Sequence, residues 1–72
     1  NVRWLDLSSN SFSAVPRSIW KYVTRLRYLD LSENPIEVLD SSSFAGLKYL
    51  RYLDVRGLKL QYIDSRIFLY QR

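Results

Sequence analysis

The feature that most constrains this chain is an internal repeat with a period of 24 residues. Three such periods account for all 72 residues, and apolar residues recur at six positions of the period. The recurring sets are Val2, Leu26 and Leu50; Leu5, Leu29 and Leu53; Leu7, Leu31 and Val55; Phe12, Ile36 and Leu60; Val15, Leu39 and Ile63; and Trp20, Phe44 and Phe68. A fixed period of this length predicts a stack of similar units, because no single unit can bury its apolar side without a neighbour.

Each period begins with a segment of alternating residues. In the second period, apolar Leu29 and Leu31 alternate with the residues at 28, 30 and 32, and a period of two is typical of a half-buried β-strand. Asn34-Pro35 then indicates a turn. The rest of the period contributes four further candidates for the interior, which are Ile36, Leu39, Phe44 and Leu47. We therefore expect short strands separated by irregular return segments.

A polar position after the strand carries asparagine in the first two periods, as Asn10 and Asn34. An asparagine side chain can bond backbone groups that are left unpaired where a strand ends, in its own turn and in the adjacent one. The third period has Leu58 at this position. Its turn must find other partners, and we expect Gly57 to supply the backbone freedom that this requires.

The composition excludes several kinds of functional site. The chain has no cysteine and no histidine, which removes disulfides, thiolate metal sites and the commonest general base. The sequence also contains no glycine-rich phosphate loop. No apolar run approaches the roughly 18 to 20 residues of a membrane span. We predict that the chain is not an enzyme and that it binds neither a cofactor nor a metal ion.

The formal net charge is +4, from 11 lysines and arginines against 7 aspartates and glutamates. A positive surplus suits an acidic partner, a phosphate backbone or an anionic surface, although it also serves solubility alone. The positive residues are dispersed along the sequence rather than run together. This dispersion argues against nucleic acid as a partner.

The pattern L-x-x-L-x-L-x-x-N, which residues 26–34 carry, resembles the leucine-rich repeat. The apolar residues that follow this pattern, which include a phenylalanine and a leucine, are similar to those of the 24-residue class of leucine-rich repeats. This class is typical of secreted and cell-surface proteins. The resemblance covers the whole chain and implies an α/β solenoid of three stacked units, residues 1–25, 26–49 and 50–72. A short parallel β-sheet would lie on the concave face, with irregular or short helical returns on the convex face. The resemblance also implies that the chain is a fragment of a longer ectodomain.

The third period is similar to a late repeat in the ectodomain of relaxin-family G-protein-coupled receptors. In those receptors too, a glycine-apolar-charged-apolar stretch replaces the asparagine, as residues 57–60 do here. A segment similar to Asn34-Pro35-Ile36 precedes that stretch in the receptors, as it does in this chain. This resemblance implies a segment of a hormone receptor at the extracellular face of the plasma membrane, with the membrane anchor outside the segment and a protein or peptide as ligand. A Toll-type or adhesion receptor ectodomain is the alternative. A structural spacer within a solenoid is a third possibility.

Stacked periods bring equivalent residues of neighbouring strands about 4.8 Å apart, so outward residues form columns. The aromatic column is Trp4, Tyr28 and Tyr52; the aspartate column is Asp6, Asp30 and Asp54; and the arginine column is Arg3, Arg27 and Arg51, with Arg56 further along. Aromatic side chains supply rigid contact area, and fixed carboxylates receive basic groups of a partner. Because like charges repel at this spacing, we expect the aspartate and arginine columns to neutralise one another laterally.

These columns predict a ligand-binding face. Its candidate residues are Trp4, Asp6, Tyr28, Asp30, Tyr52, Asp54 and Arg56. In relaxin-type receptors, acidic and tryptophan side chains of the concave face hold arginines and an apolar residue of the hormone, and the resemblance gives this role to Trp4 and the aspartate column. The ends of the stack, Trp4 and Leu5 on one side and Phe68 and Leu69 on the other, lack a neighbouring unit. We therefore expect the chain alone to be unstable or to self-associate.

Overall fold

The computed structural model describes residues 2–67. These residues form five short strands and one 3₁₀ helix, connected by turns and irregular segments. In chain order the elements are β1 (Trp4–Asp6), the 3₁₀ helix (Arg17–Tyr22), β2 (Tyr28–Asp30), β3 (Val38–Leu39), β4 (Tyr52–Asp54) and β5 (Tyr62–Ile63). Strands β1, β2 and β4 fall on the alternating segments of the sequence, and the 3₁₀ helix lies in the return segment of the first period.

Two parallel sheets organise these strands. One contains β1, β2 and β4 in that order, and the other contains β3 and β5. In the larger sheet Leu5 pairs with Leu29, and Leu29 pairs with Leu53, so the pairing register equals the 24-residue period of the sequence. Parallel strands require a long crossover between them, which the return segments supply. The fold is therefore a solenoid-like repeat with small parallel sheets.

The hydrophobic core is centred on the second period. Within residues 2–67, the apolar side chains with no exposed surface are Leu26, Leu29, Leu31, Ile36, Leu39, Phe44 and Leu47. This burial confirms the inward residues expected for that period. Equivalent residues on either side are less protected, since Leu5 and Leu53 are only partly buried and Ile63 is 55% exposed. Leu29 lies in β2, which has a strand on either side, whereas Leu5 in β1 and Leu53 in β4 each lie in a strand that pairs on one side. Phe68 and Leu69 lie outside the described residues.

Asn34 links the turns that follow β1 and β2. It is 1% exposed, and its Nδ2 donates to the carbonyl oxygens of Leu31 and Leu7, at 2.9 Å in both cases. Its Oδ1 accepts the N–H of Phe12 at 3.2 Å. The bonds of Asn10, in the first turn, run to carbonyl oxygens of its own turn. The expected role of the asparagine, in its own turn and the adjacent one, is confirmed at Asn34.

In the turn that follows each strand of the larger sheet, one residue adopts the left-handed backbone conformation. The φ angle is +56° at Ser9, +59° at Glu33 and +71° at Gly57, and these residues are one period apart. Glycine takes this conformation without the steric cost that a Cβ brings. Because Ser9 and Glu33 share it in turns that keep the asparagine, the role expected of Gly57 in replacing the asparagine stays a prediction. A Cβ at Gly57 would also overlap the carboxylate of Glu33. Leu58, in the place of the asparagine, packs against the core and is partly buried.

A buried tryptophan anchors the 3₁₀ helix to the second period. Trp20 is 3% exposed, and its Nε1 donates to the carbonyl oxygen of Ser43 at 2.8 Å. Ser43 directly precedes Phe44, the residue equivalent to Trp20, so the two return segments lie side by side. No helix in the described part of the chain is both long and apolar enough to span a membrane.

Candidate functional site

The three rings of the aromatic column stack across the outer face of the larger sheet. The ring centroids of Trp4 and Tyr28 are 4.9 Å apart with 13° between their planes, and those of Tyr28 and Tyr52 are 4.5 Å apart with 5° between their planes. The three residues pair directly in the sheet. The strand spacing of about 4.8 Å therefore places the rings at stacking distance. The geometry of the expected aromatic column is observed.

The aromatic column is ordered and still open to solvent. Trp4 is 59% exposed and Tyr52 is 49% exposed, while Tyr28 is half-buried between them. Burial raises the pKa of the Tyr28 hydroxyl, and the nearby charges of Asp30 and Tyr52 add to this effect. The hydroxyl therefore stays protonated at neutral pH and can donate a hydrogen bond. Stacked rings of this kind offer contact area with little further loss of side-chain entropy.

The aspartate column has a structural task that the alternation of residues alone does not predict. Oδ1 of Asp6 accepts the N–H of Ser8, and Oδ1 of Asp30 accepts the N–H of Ser32, both at 2.9 Å. Asp54 accepts the N–H two residues later in the same way. An aspartate that bonds the backbone two residues on forms a turn, so one oxygen of each carboxylate is committed. The sequence signal is aspartate, a turn-forming residue, at the last strand position of every period.

Asp54 and Arg56 form an ion pair instead of two separate binding groups. Nη2 of Arg56 is 2.7 Å from Oδ2 of Asp54, and its Nε is 3.0 Å from Oδ1. The Asp54 side chain is 4% exposed, whereas that of Arg56 is 83% exposed. Hydrogen bonds from the side chain and then the backbone of Arg56 lower the pKa of Asp54. Arg56 thus covers a carboxylate that the sequence led us to expect on an open face.

The expected lateral pairing between the aspartate and arginine columns is absent from residues 2–67, and that prediction is wrong. The ion pairs in this part of the chain join residues two positions apart, as Arg56–Asp54 and Arg66–Asp64. The arginine column precedes the strands and the aspartates end them, so about 10 Å of strand separates the two columns. Over the same residues, no three acidic side chains gather into a group that could hold a metal ion.

Several aspartates have pKa values below the usual 3.8 because hydrogen bonds favour their charged form. These are Asp6, Asp40, Asp54 and Asp64, and in each the main donors are the side chain and then the backbone N–H of the residue two positions later. A carboxyl whose folded-state pKa is lowered stabilises the fold above its unfolded-state pKa and loses that contribution as the pH falls through the folded-state value. We therefore expect the urea midpoint to fall as the pH is lowered below 3.8.

Asp54→Asn is the matched variant for this pH dependence. Its amide oxygen can still accept the N–H of Arg56, but the side chain no longer titrates. The urea midpoint of Asp54→Asn should therefore change less on acidification than that of the parent chain. Glu37→Gln, which removes one charge from an exposed side chain, is the control. Identical acid profiles for Asp54→Asn and the parent chain would contradict the assignment.

A family model described as leucine rich repeat matches residues 1–63, which is most of the 72-residue chain. The matched residues include the whole three-stranded sheet and the aromatic column. No curated protein and no solved structure matches the chain in the corresponding comparisons. The family match agrees with the repeat period, whereas ligand contact by the seven candidate residues stays a prediction.

Proposed function

Since this chain belongs to the leucine-rich repeat family, we propose that it binds a protein or peptide through the outer face of its three-stranded sheet. Domains of this family commonly mediate protein binding and are typically not enzymes. The observation that carries the proposal is the stacking of Trp4, Tyr28 and Tyr52 in one partly exposed column. A large aromatic surface that remains in water has a solvation cost, which contact with a partner removes.

The aromatic column has the properties of a binding hot spot. Tryptophan and tyrosine are enriched among interface residues that contribute most to affinity. Here they are held in register by backbone pairing, so their positions are fixed before a partner arrives. The protonated Tyr28 hydroxyl adds a hydrogen-bond donor at the centre of the face. A preordered surface of this kind loses less entropy on binding than a flexible one.

We further propose that residues 1–25, 26–49 and 50–72 are three successive repeats of an extracellular receptor ectodomain whose membrane anchor lies outside this segment. The support is the resemblance of the third period to relaxin-family receptors, in which glycine and an apolar residue replace the asparagine, as Gly57-Leu58 do here. A Toll-type or adhesion ectodomain remains the alternative. The flanking sequence of the full-length protein distinguishes these proposals. A cysteine cluster followed by seven apolar spans would support a relaxin-type receptor, whereas one apolar span followed by a cytoplasmic domain would support a Toll-type receptor.

Selection from a random peptide library displayed on phage tests the binding function. We expect peptides that bind the chain, and we expect Tyr28→Ala to weaken their binding at least about tenfold, because hot-spot aromatic residues contribute about 2 kcal/mol or more. Trp4→Ala should weaken the same peptides. Fluorescence anisotropy of the labelled peptides measures the affinities, and circular dichroism checks that each variant remains folded.

Tyr22→Ala is the matched control, because Tyr22 is 76% exposed and lies in the 3₁₀ helix rather than in the sheet. Its substitution should leave the affinities within about twofold. If every selected peptide is insensitive to Trp4→Ala and Tyr28→Ala, the sheet face is not the binding surface. A library that yields no binding peptide would favour the structural spacer.

A further inference from the structure

Cationic side chains gather at the edge of the larger sheet where its strands begin. Arg3, Arg27 and Arg51 stand directly before β1, β2 and β4, and Arg25 and Lys48 lie in the turns that lead into β2 and β4. We name these five residues the basic edge. All five are exposed. They are dispersed in the sequence, but the 24-residue register aligns Arg3, Arg27 and Arg51, and the turns that hold Arg25 and Lys48 lead directly into the same strands.

The backbone fixes the spacing of the arginine column within this edge. The carbonyl oxygen of Arg3 accepts the N–H of Arg27 at 2.8 Å, and the carbonyl oxygen of Arg27 accepts the N–H of Arg51 at 2.8 Å. Successive arginines therefore start from positions about 4.8 Å apart. Like charges at this spacing repel one another in the free chain, and an anionic partner would relieve that repulsion.

Nothing in the described residues neutralises the basic edge. Within residues 2–67 the ion pairs use Arg56 and Arg66, which lie beyond the strands. The segments 7–29 and 41–53, which contain or lead to the basic edge, have no aspartate or glutamate. The acidic residues all fall at the strand ends or in the segments that follow them. The sheet face is therefore positive along one side and negative along the other.

The carboxylates on the acidic side have less to offer a partner. Asp54 is covered by Arg56, and Asp6 and Asp30 each use one oxygen to hold their own turns. Asp6 and Asp30 remain negatively charged, but the guanidinium groups of the arginine column are the charged groups beside the aromatic column whose donors no carboxylate of residues 2–67 engages. A groove of about 190 Å³ is lined by Lys48, Tyr49, Leu50 and Arg51, in the segment that leads into β4. Tyr49 is 51% exposed and adds apolar contact area beside the charges.

We propose that the partner is an acidic peptide segment that lies along the basic edge, with its carboxylates on the arginine column and its apolar side chains on the aromatic column. This inference rests on the proposed function, because it names the partner chemistry of the same face. Arginine is well suited to the role, since its guanidinium binds carboxylates through two parallel hydrogen bonds. The family favours a peptide over a nucleic acid strand, because leucine-rich repeat domains commonly mediate protein binding.

Binding of defined probes tests this proposal. The probes are fluorescein-labelled octaglutamate, octalysine and oligodeoxythymidine of the same length, measured by anisotropy at about 150 mM salt, where long-range charge effects are largely screened. We expect octaglutamate to bind more tightly than the other two probes. The triple variant Arg3→Gln, Arg27→Gln and Arg51→Gln should weaken octaglutamate binding at least about tenfold, because each exposed pair contributes up to about fivefold.

The control removes the same amount of charge from elsewhere. Arg17→Gln, Lys21→Gln and Lys59→Gln together also remove three positive charges from exposed positions, and affinity for octaglutamate should stay within about twofold. Equal losses in the two triple variants would mean that net charge alone attracts the probe, which overturns the proposal. Tighter binding of the oligodeoxythymidine, with a steep salt dependence, would overturn it in favour of nucleic acid.

The selected phage peptides separate failure of this inference from failure of the proposed function. Peptides that depend on Tyr28 but carry no excess of aspartate and glutamate would overturn the acidic-partner inference and leave binding by the sheet face intact. An absence of peptides that depend on Tyr28 or Trp4 would overturn the proposed function itself. Peptides that are acidic and lose affinity in both Tyr28→Ala and the arginine triple variant would support both.

Discussion

Replacement of Phe44 with alanine is expected to unfold a large fraction of the chain. Phe44 has no exposed surface and packs at the centre of the core. Truncation of a buried phenylalanine costs about 3–5 kcal/mol, because transfer free energy is lost and a cavity remains. A chain of this size has a total stability of roughly 4–11 kcal/mol. The variant should therefore lose between about a third and all of its free energy of unfolding.

Urea unfolding followed by tryptophan fluorescence and circular dichroism measures this loss. Tyr22→Ala removes a side chain of similar size from a position that is 76% exposed, and it should shift the free energy of unfolding by less than about 0.5 kcal/mol. Comparable midpoints for Phe44→Ala and Tyr22→Ala would mean that the core is not centred on the second period.

Asn34→Leu is expected to destabilise the chain by about 2–4 kcal/mol, because unpaired buried polar groups cost about 1–3 kcal/mol each. The substitution removes the Asn34 partner of the Leu31 carbonyl oxygen and of the Phe12 N–H, and it leaves the Leu7 carbonyl oxygen with its bond from Asn10. Leucine is chosen because the fold already holds a leucine, Leu58, at the equivalent position. The loss then reports the missing hydrogen bonds more than a change of side-chain volume.

Asn10→Leu provides the matched comparison for Asn34→Leu. The amide of Asn10 bonds carbonyl oxygens of its own turn and is exposed to solvent, so water can replace it when it is removed. We expect a loss of about 0.5–1 kcal/mol, in the range of a single exposed hydrogen bond. Equal losses in the two variants would show that the link between neighbouring turns adds nothing to stability.

The repeat period predicted the parts of the fold that depend on equivalent positions. Because Leu5, Leu29 and Leu53 are one period apart, the pairing of β1, β2 and β4 followed from the sequence, and so did the stacking of the aromatic column. The smaller sheet was not predicted. Its strands, Val38–Leu39 and Tyr62–Ile63, are two residues long, too short for any alternation to show.

The charged residues of the face were predicted less well than its aromatic residues. The pairing of the strands fixes the positions of the aromatic rings. The hydrogen-bond partner of each aspartate instead depends on the conformation of the turn that follows its strand. Asp54 accepts from Arg56 because the chain turns back after β4, which alternation cannot reveal. Likewise, the basic edge combines residues from different periods and from the turns before the strands, so it is dispersed in the sequence and continuous in space.

The amide of Asn34 has a consequence for how cooperatively the chain loses its structure. The Asn34 side chain bonds backbone groups of the first unit, at Leu7 and Phe12, and of the second unit, at Leu31. Because these bonds are shared, the turns of the two units are expected to open together. At the next boundary Leu58 offers no such bridge, and backbone bonds such as that from the Glu33 N–H to the Arg56 carbonyl oxygen remain. The first two units are thus joined partly through a buried amide, whereas the second and third units are joined by the additional backbone pairing of β3 with β5, so the two joints resist opening through different bonds.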